Sequence, residues 1–290
     1  MIEGSLVALI TPFANGELDE AALRKLVHWH VDQGSDGLVP VGTTGESPTL
    51  SEEEHKRVIE IVVEENAGRL PVVAGAGSNN PREALEYSNY ASQAGADALL
   101  HVAGYYVRPN QDGLYAHFRF LHDETDLPII VYNIPPRAIV DVLPATLAEL
   151  AELPRIAGVK DATGDLTRPL LERAVISKPF SFLSGEDATA VAYNVSGGNG
   201  CISVTANVAP RLCADMQAAC KAGDYATAAE IQDRLLPLHM ALFAEPSPAG
   251  VKYAASLLGH CSADCRMPIM PLGEATRAAI REAMERLDLI

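Results

Sequence analysis

A lysine ends a short apolar run in the middle of the chain. Ile156 to Val159 are apolar or small, and Lys160 follows them directly. An unperturbed lysine has a pKa near 10.4, but burial in an enzyme can lower it to about 7–8, which makes the amine a usable nucleophile. Such an amine can form a Schiff base with a carbonyl compound, and the iminium then serves as an electron sink for making or breaking a carbon–carbon bond. An ion pair between Lys160 and Asp161, or another carboxylate, explains the position of this lysine equally well.

Other groups with suitable chemistry follow other apolar runs. The stretch Gly42-Thr43-Thr44-Gly45-Glu46 can form a tight turn whose backbone N–H groups and two hydroxyls suit a carboxylate. It does not match a phosphate-binding loop, because no Gly-Lys-Ser/Thr follows it. Tyr132 is a possible proton relay, and Arg137 has the fork geometry that binds a carboxylate at two points. The structural alternatives are an ordinary loop, a tyrosine at the rim of the core, and a surface arginine.

The apolar runs indicate which fold must position these residues. Eight runs of four to seven residues alternate with amphipathic stretches, and each run is nearly continuously apolar, which is typical of parallel strands covered on both faces. The predicted strands are Ser5–Thr11, Gly37–Val41, Pro71–Ala74, Ala98–Val102, Pro128–Tyr132, Ile156–Lys160, Phe180–Leu183 and Gly200–Ser203. A doubly wound sheet is the alternative, but no dinucleotide-binding fingerprint is present. We therefore predict a (β/α)8 TIM barrel.

Helix start signals lie between the predicted strands. Ser51 and Glu54 form a capping box at the head of a predicted helix over Glu52–Glu65. Asn80 precedes a proline at the first helical position, and Leu143 precedes another. These signals support the alternation of strands and helices that a barrel requires.

The strand pattern stops near residue 222. Three helices are predicted after it, over Asp224–Phe243, Ser247–Leu258 and Leu272–Leu287. We therefore divide the chain into a catalytic barrel, residues 1–222, and a C-terminal helical segment, residues 223–290, which is too small to form a second catalytic unit.

In a barrel, the working residues lie at the C-terminal ends of the strands and in the loops that follow. Lys160 is the only lysine predicted there. The other lysines are expected on helices or at element ends, where water solvates the ammonium group; they are Lys25, Lys56, Lys178, Lys221 and Lys252.

Composition narrows the possible partners. The formal net charge of −16 argues against nucleic acid and acidic membranes, and an anionic substrate would need a locally positive site. No apolar run approaches the roughly 18 residues of a membrane span, and the first residues lack a basic leader, so we expect a cytoplasmic protein. The five cysteines show neither disulfide nor metal spacing, so we expect reduced thiols and no metal.

Taken together, these motifs resemble the dihydrodipicolinate synthase and N-acetylneuraminate lyase family of pyruvate-dependent class I aldolases. The resemblance runs from "GSLVALITPF" to "EPSPAGVKYA" and includes "VGTTGES", "YYVRPNQDGLYAHF", "VYNIPPR", "GVKDATGD", "LSGED" and "GCISVTANV". Thr43-Thr44, the arginine five residues after Tyr132, and the sequence Lys-Asp-Ala-Thr-Gly resemble the synthase branch. Sialate lyases usually have Ser-Thr at the positions of Thr43 and Thr44, and they lack that arginine.

The resemblance implies a role for each matching residue. Lys160 forms an imine with pyruvate. Tyr132 is the general acid and base, linked to solvent through Thr44 and through Tyr106 of a neighbouring subunit. The backbone at Thr43 and Thr44 holds the pyruvate carboxylate. The implied residues lining the pocket are Gly185 and Ile202.

The resemblance also implies substrates and an assembly. Arg137 holds the carboxylate of L-aspartate 4-semialdehyde, and the product is 4-hydroxy-tetrahydrodipicolinate, on the diaminopimelate route to lysine. No organic cofactor is implied, and a homotetramer built as a dimer of dimers is expected. L-Lysine inhibits many members at a dimer interface, and the matching positions here are Ser47, Pro48, Glu52, His55, Asn79, Glu83 and Tyr105. Glu52 stands where some lysine-sensitive members have histidine.

One departure from the family pattern concerns the tyrosine pair. The family commonly reads Thr-Pro-Tyr-Tyr-Asn where this chain has Ala103-Gly104-Tyr105-Tyr106-Val107, and the missing proline is expected to loosen the loop. Two adjacent aromatic residues in such a loop cannot both face one core, so one of them is expected to reach elsewhere. Two other functions stay open: a pyruvate-dependent aldolase or dehydratase acting on a sugar acid or hydroxy-keto acid, and a keto-acid-binding barrel without catalysis.

Overall fold

The computed structural model describes all 290 residues and contains ten strands. Their bounds are β1 Gly4–Ala8, β2 Phe13–Ala14, β3 Glu17–Leu18, β4 Gly37–Val39, β5 Val73–Gly75, β6 Ala98–Val102, β7 Ile129–Asn133, β8 Ile156–Asp161, β9 Ser181–Ser184 and β10 Gly200–Ser203. Strands β2 and β3 form a small antiparallel hairpin that the sequence analysis did not predict.

The other eight strands form one parallel sheet in the order β4-β1-β10-β9-β8-β7-β6-β5. Leu38 of β4 and Val72, directly before β5, form a parallel bridge that joins the first and last strands of this order. The Leu38 N–H donates to the Pro71 carbonyl at 2.9 Å. The predicted (β/α)8 TIM barrel is therefore confirmed.

Twelve α-helices surround and follow the barrel. Their bounds are α1 Glu20–Gln33, α2 Glu52–Asn66, α3 Pro81–Ala94, α4 Gln111–Glu124, α5 Pro135–Ala138, α6 Pro144–Ala151, α7 Arg168–Arg173, α8 Ala190–Val195, α9 Pro210–Ala222, α10 Tyr225–Leu242, α11 Ala249–Leu257 and α12 Glu274–Glu285. The three C-terminal helices correspond to the three that were predicted. None of the twelve combines the length and the apolar character needed to cross a bilayer.

The helix starts follow their capping residues. Ser51 and Glu54 form a complete capping box at the start of α2. The Asn80 side chain accepts the N–H of Arg82 at the start of α3. Local hydrogen bonding therefore explains why these helices begin where the sequence predicted.

Strand β1 is shorter than predicted. It ends at Ala8, although the apolar run continues to Thr11, because beyond Ala8 the chain leaves the parallel ladder while staying buried. The Ile10 N–H donates to the side-chain oxygen of Asn207 at 3.0 Å, which replaces a strand partner. Hydrophobicity alone cannot separate a buried strand from a buried loop of this kind.

The C-terminal helices share the core of the barrel. Leu235 and Leu238 of α10, and Ile280 and Met284 of α12, are fully buried and belong to the same hydrophobic cluster as the barrel strands. This shared core fixes α10 against the barrel, next to the ends of the last two strands.

Candidate active site

A cavity of about 330 Å³ opens where the C-terminal ends of the barrel strands converge. Its size is within the range typical of small-molecule sites. It is lined by Thr43, Thr44, Tyr132, Ile134, Pro136, Arg137, Lys160, Ala162, Gly185, Glu186, Asp187, Ala188, Val204, His239, Met240, Phe243 and Ser247. The structure thus brings together six of the residues predicted to act on substrate: Lys160, Tyr132, Thr43, Thr44, Arg137 and Gly185.

Lys160 and Tyr132 face each other inside the barrel mouth. They occupy paired positions on the neighbouring strands β8 and β7, so their side chains leave the sheet on the same side. The Lys160 Nζ lies 4.2 Å from the centroid of the Tyr132 ring, and both residues are only 6 % exposed. An amine and a phenol therefore share one enclosed volume.

Asp161 does not serve as the partner of Lys160. Successive residues of a strand point to opposite faces, so the Asp161 side chain leaves β8 on the other side, where it accepts the N–H of Thr163 at 2.8 Å. Lys160 forms no ion pair with it. Burial raises the pKa of the Asp161 carboxyl above its usual range, and the hydrogen bonds from Thr163 oppose that effect.

A buried charged cluster lies on that outer side of β8. Arg168 contacts Asp141 at 2.9 Å and Glu172 at 3.4 Å, and the second carboxylate oxygen of Glu172 has no partner. Burial raises the pKa of Glu172 to about 8, and the neighbouring Asp161 charge adds to the effect. The sequence analysis did not identify this cluster, which packs directly behind the strand that carries Lys160.

The loop that carries Thr43 and Thr44 has a fixed backbone. The Gly45 N–H donates to the Gly42 carbonyl, and the Glu46 N–H donates to the Thr43 carbonyl, each at 3.1 Å. Thr44 is buried and Thr43 is half-buried, and both line the cavity.

Backbone conformations on either side of this loop are unusual. Val41 has a φ of 49° and Glu46 a φ of 57°, a region that branched and long side chains rarely adopt. Gly75 makes room for the turn, because a Cβ at that position would lie 2.3 Å from the Val41 carbonyl oxygen. The tight turn predicted from the two loop glycines therefore depends on a third glycine in the neighbouring strand.

Glu46 holds this loop to the C-terminal segment. Its Oε1 lies 2.6 Å from the Lys252 Nζ on α11, and its Oε2 accepts the backbone N–H of Arg266 at 2.9 Å. The prediction that Lys252 is solvated is wrong, since its side chain is fully buried and its Nζ also lies 4.0 Å from the centroid of the Phe13 ring. A buried ammonium needs such a partner because desolvation disfavours the charge.

Arg137 and Gly185 complete the cavity wall. Arg137 lies on α5, directly after two prolines, and its side chain is exposed to the cavity. Gly185 follows β9, where a Cβ would lie 2.8 Å from the Ala162 Cβ and 3.2 Å from the Lys160 Cε. The absence of a side chain at Gly185 therefore leaves the space that Lys160 occupies.

Ile202 lies elsewhere. It pairs with Leu6 inside the sheet and is 1 % exposed, whereas Val204, two residues further along, lines the cavity.

The two tyrosines of the loop after β6 point in different directions. Tyr105 is half-buried and packs against the core, whereas Tyr106 is 90 % exposed. Tyr106 has a φ of 65°, and the Val107 N–H donates to the Tyr105 carbonyl at 2.7 Å across it. This tight turn directs one ring away from the barrel, as expected for two adjacent aromatic residues that cannot both face one core.

The residues matched to a lysine-effector site lie outside the cavity, and none of them lines it. Ser47 and Pro48 lie in a 3-10 turn, Glu52 and His55 on α2, Asn79 just before α3, Glu83 on α3, and Tyr105 after β6.

His55 is the most enclosed of this group. Its Nε2 lies 2.9 Å from the Gly75 carbonyl oxygen, and its ring stacks on Tyr87 with centroids 4.0 Å apart. Burial lowers the pKa of His55 to about 4, which keeps the imidazole neutral. Nearby, the Ser78 hydroxyl donates to the Glu83 carboxylate.

Eleven cavity residues were not among the predicted site residues, and six of these are either acidic or contributed by the C-terminal segment. Glu186 and Asp187 follow β9 directly and could have been found from the strand-end rule. The other four come from α10 and the turn after it, which that rule does not reach; they are His239, Met240, Phe243 and Ser247. His239 is buried, and its Nδ1 lies 2.7 Å from the Thr205 hydroxyl. No group of three or more His, Cys, Asp or Glu side chains has a geometry that could hold a metal ion, and the five cysteines are free.

The chain is similar to known proteins over its full length. The model of the Dihydrodipicolinate synthetase family matches residues 1–287. A 4-hydroxy-tetrahydrodipicolinate synthase from Roseobacter denitrificans is 59 % identical over 290 residues, which cover 100 % of both chains.

Solved structures of dihydrodipicolinate synthases are also similar to this chain over its full length. A chloride-inhibited dihydrodipicolinate synthase from Acinetobacter baumannii, complexed with pyruvate, superposes with a TM-score of 0.98 at 40 % identity and 100 % coverage of both chains. A dihydrodipicolinate synthase from Cyanidioschyzon merolae with lysine bound has a TM-score of 0.97 at 34 % identity, covering 100 % of this chain and 99 % of that one.

Proposed function

The chain belongs to the dihydrodipicolinate synthetase family, and from this premise we propose that it catalyses the 4-hydroxy-tetrahydrodipicolinate synthase reaction. The enzyme condenses pyruvate with L-aspartate 4-semialdehyde and releases one water molecule. The observation that carries the proposal is the enclosed amine of Lys160, 4.2 Å from the Tyr132 ring in a cavity at the barrel mouth.

Lys160 is the nucleophile. Its Nζ attacks the ketone carbon of pyruvate, water leaves, and an imine forms. Loss of a proton from the pyruvate methyl group gives an enamine, whose carbon attacks the aldehyde of the second substrate. The amino group of that substrate then attacks the imine carbon, which closes the ring and frees Lys160.

Tyr132 transfers the protons of these steps. Its ring packs against Lys160. Thr44, which lies in the loop after β4 and carries a hydroxyl group, lines the same cavity. Tyr106 continues the relay in a neighbouring subunit. The exposure of its ring and the tight turn at its backbone support this role, because the ring does not pack into the core of its own barrel.

Two positive or N–H-rich regions hold the substrate carboxylates. The turn at Thr43 and Thr44 takes the pyruvate carboxylate, and Arg137 takes the carboxylate of the second substrate. Gly185 shapes the pocket by leaving room for Lys160, and Val204, rather than the predicted Ile202, lines it at the end of β10. Arg137 and the backbone N–H groups of the turn supply the local positive charge that an anionic substrate requires in a protein of net charge −16.

The reaction needs no metal or organic cofactor, since the imine itself withdraws the electrons. We also propose that the enzyme acts in the cytoplasm as a homotetramer, in which paired subunits exchange Tyr106.

L-Lysine is the proposed inhibitor. The C. merolae relative has been solved with lysine bound, and Glu83, His55 and Tyr105 offer a carboxylate, an imidazole and a phenol outside the cavity. Assays with added L-lysine test this: the wild type loses activity, and a Glu83→Gln variant is less sensitive. Equal sensitivity of the two proteins would contradict the assignment of Glu83.

Trapping the imine tests the function. The protein is incubated with pyruvate and borohydride, and the labelled peptide is identified by mass spectrometry. We expect one adduct, on Lys160, and none in a Lys160→Arg variant. A Lys178→Arg variant is the matched control, because Lys178 lies outside the cavity and its loss should leave labelling unchanged. An adduct on another lysine, or none, would overturn the proposal.

Turnover assays separate this reaction from its alternatives. Condensation of pyruvate with L-aspartate 4-semialdehyde should be much faster than cleavage of a deoxy sugar acid. The opposite preference would assign the protein to another aldolase of the same family.

A further inference from the structure

Arg137 reaches the cavity from a short segment between β7 and α6. Its side chain is exposed and forms no ion pair within the chain. Helix α5, which carries it, is a single turn in which the N–H groups of Arg137 and Ala138 donate to the Ile134 carbonyl at 3.1 and 2.9 Å. The position of the guanidinium therefore depends on how residues 134–140, the arginine segment, are held at their two ends.

Asn133 closes the base of the arginine segment. It is the last residue of β7, is 2 % exposed, and lies directly before the segment. Its Nδ2 donates to Asp141 Oδ1 at 2.8 Å and to the Val142 carbonyl at 3.3 Å, and its Oδ1 accepts the Val142 N–H at 3.0 Å. One buried amide thus joins the point where the chain leaves the strand to the point where it returns.

Arg168 binds the same point from α7. Its guanidinium donates to both carboxylate oxygens of Asp141, at 2.9 and 3.1 Å, and to the Val142 carbonyl. The Arg168 side chain is only 7 % exposed. A two-pronged contact between charged groups fixes their orientation as well as their distance. Arg168 therefore ties the base of the arginine segment to the helix that follows β8, the strand of Lys160.

Gln111 supplies a third attachment from the start of α4. Its Nε2 donates to the Asp141 carbonyl at 2.8 Å, and its Oε1 accepts the Leu143 N–H at 3.2 Å. Three side chains from three different elements thus converge on residues 141–143. Neither they nor Asp141 line the cavity, so their influence on a ligand there must pass through the arginine segment.

We propose that Asn133, Asp141 and Arg168 are positioning residues for Arg137. A guanidinium binds a carboxylate at two points only when the two planar groups are aligned. If the base of the arginine segment were free, binding would have to order the segment, and the cost of that ordering would weaken the affinity. The proposal rests on the proposed function, in which Arg137 holds the carboxylate of L-aspartate 4-semialdehyde. It identifies side chains that set the affinity for this substrate without touching it.

Asp141→Ala tests the proposal, because Asp141 is the acceptor that Asn133 and Arg168 share. The Asp141 side chain is 35 % exposed, so its removal disturbs the core less than removal of either partner. We expect the KM of L-aspartate 4-semialdehyde to rise about tenfold, which corresponds to the loss of one charge-assisted hydrogen bond. The KM of pyruvate and kcat should change less than about twofold, because Arg137 binds only the second substrate. A rise in both KM values alike, or in neither, would overturn the proposal.

Asp141→Asn is the conservative variant. Its side-chain oxygen can still accept the Asn133 amide, but the charged contact with Arg168 is lost. We expect a KM for L-aspartate 4-semialdehyde between those of the wild type and Asp141→Ala, about threefold above the wild type. If Asp141→Ala does not fold, as judged by circular dichroism, this variant decides the proposal alone, and an unchanged KM would overturn it.

A double variant separates positioning of Arg137 from a general effect on the structure. In an Arg137→Ala background there is no guanidinium to position, so adding Asp141→Ala should change the KM of L-aspartate 4-semialdehyde less than about twofold. A further tenfold rise in that background would show that Asp141 acts by another route, and the proposal would fail.

Asp123→Ala is the matched control. Asp123 lies on α4 outside the cavity and contacts an arginine, Arg119, at 3.6 Å. Its loss should leave both KM values at the wild-type level. A tenfold rise in the KM of the second substrate here would mean that the effect of Asp141→Ala is not specific to the arginine segment.

The same assays separate failure of this proposal from failure of the proposed function. If the wild type is not labelled by borohydride with pyruvate, or does not turn over L-aspartate 4-semialdehyde, the proposed function fails. If the wild type does both and Arg137→Ala raises the KM of the second substrate, the function holds, and the Asp141 variants alone decide whether Arg137 is positioned from the base of its segment.

Discussion

Glu46 and Lys252 form a fully buried ion pair that joins the loop of Thr43 and Thr44 to helix α11. The Lys252 Nζ lies 2.6 Å from Glu46 Oε1, and the two side chains are 0 % and 3 % exposed. The residues are 206 positions apart in the sequence. The C-terminal segment is therefore part of the structure that fixes the carboxylate-binding turn, and α10 supplies part of the cavity wall.

Removing one member of this pair should destabilise the protein strongly. Lys252→Met keeps most of the aliphatic volume but leaves the Glu46 carboxylate buried without its partner, a change that typically costs about 3–5 kcal/mol. We expect the midpoint of urea unfolding at pH 7 to fall, as followed by circular dichroism.

The double variant Lys252→Met/Glu46→Gln is the control for this prediction. It removes both charges, so its loss should be smaller than the sum of the two single losses. Strictly additive losses would mean that the two groups do not stabilise each other.

Tyr132→Phe should distinguish the role of the tyrosine hydroxyl from that of the ring. The phenylalanine ring can still pack against Lys160, so folding should be unaffected, but the proton relay is lost. We expect kcat to fall about 10²- to 10⁴-fold, the range typical for loss of a general acid or base. Steady-state rates with both substrates measure this, with circular dichroism to check the fold. A kcat within threefold of the wild type would rule out the phenol as the proton carrier.

The space beside Lys160 should limit imine formation. Gly185→Ala would add a Cβ 2.8 Å from the Ala162 Cβ and 3.2 Å from the Lys160 Cε. The contact with Ala162 is too close for a Cβ, so the wall beside Lys160 must shift, and a displacement of about 1 Å at a reacting group can cost about 100-fold in rate. We expect borohydride trapping with pyruvate to slow at least tenfold in this variant.

Gly273→Ala is the matched control for the glycine test. An added Cβ there meets only Glu245 Oε1, at 3.5 Å, an ordinary contact. If Gly185→Ala and Gly273→Ala are labelled at the same rate, the position of the Lys160 side chain does not depend on this space.

The sequence was sufficient to predict the barrel and much of the cavity for a physical reason. Strands buried on both faces read as short apolar runs, and a barrel collects the residues at their C-terminal ends, so Lys160, Tyr132 and Thr44 could be assigned to one site. Lys252 could not be recognised, since nothing in the pattern of α11 indicates a carboxylate that arrives from a distant loop. Glu186 and Asp187 are neighbours of the same chemical type, and only the structure shows that the Asp187 carboxylate accepts the Ser203 hydroxyl and the backbone N–H groups of Val204 and Thr205.

The charged cluster behind β8 should give the protein a characteristic dependence on pH. Burial raises the pKa of Glu172 from 4.5 to about 8, with Asp161 adding to the effect and Arg168 opposing it. Between those two values the folded protein keeps a proton on Glu172 that the unfolded chain has released. The free energy of unfolding therefore falls as the pH rises from about 4.5 to 8, by up to about 1.4 kcal/mol per pH unit from this group.

Glu172→Gln removes that titration while the other groups of the cluster remain. We expect the variant to lose less stability than the wild type between pH 5.5 and 8, so that the difference between the two proteins grows steadily in favour of the variant over this interval. Urea unfolding at several pH values measures the difference, with Glu285→Gln, an exposed carboxylate on α12, as the control that should parallel the wild type. Parallel curves for Glu172→Gln and the wild type would show that Glu172 is ionised in the folded protein throughout this range, in which case Arg168 outweighs the cost of burying its charge.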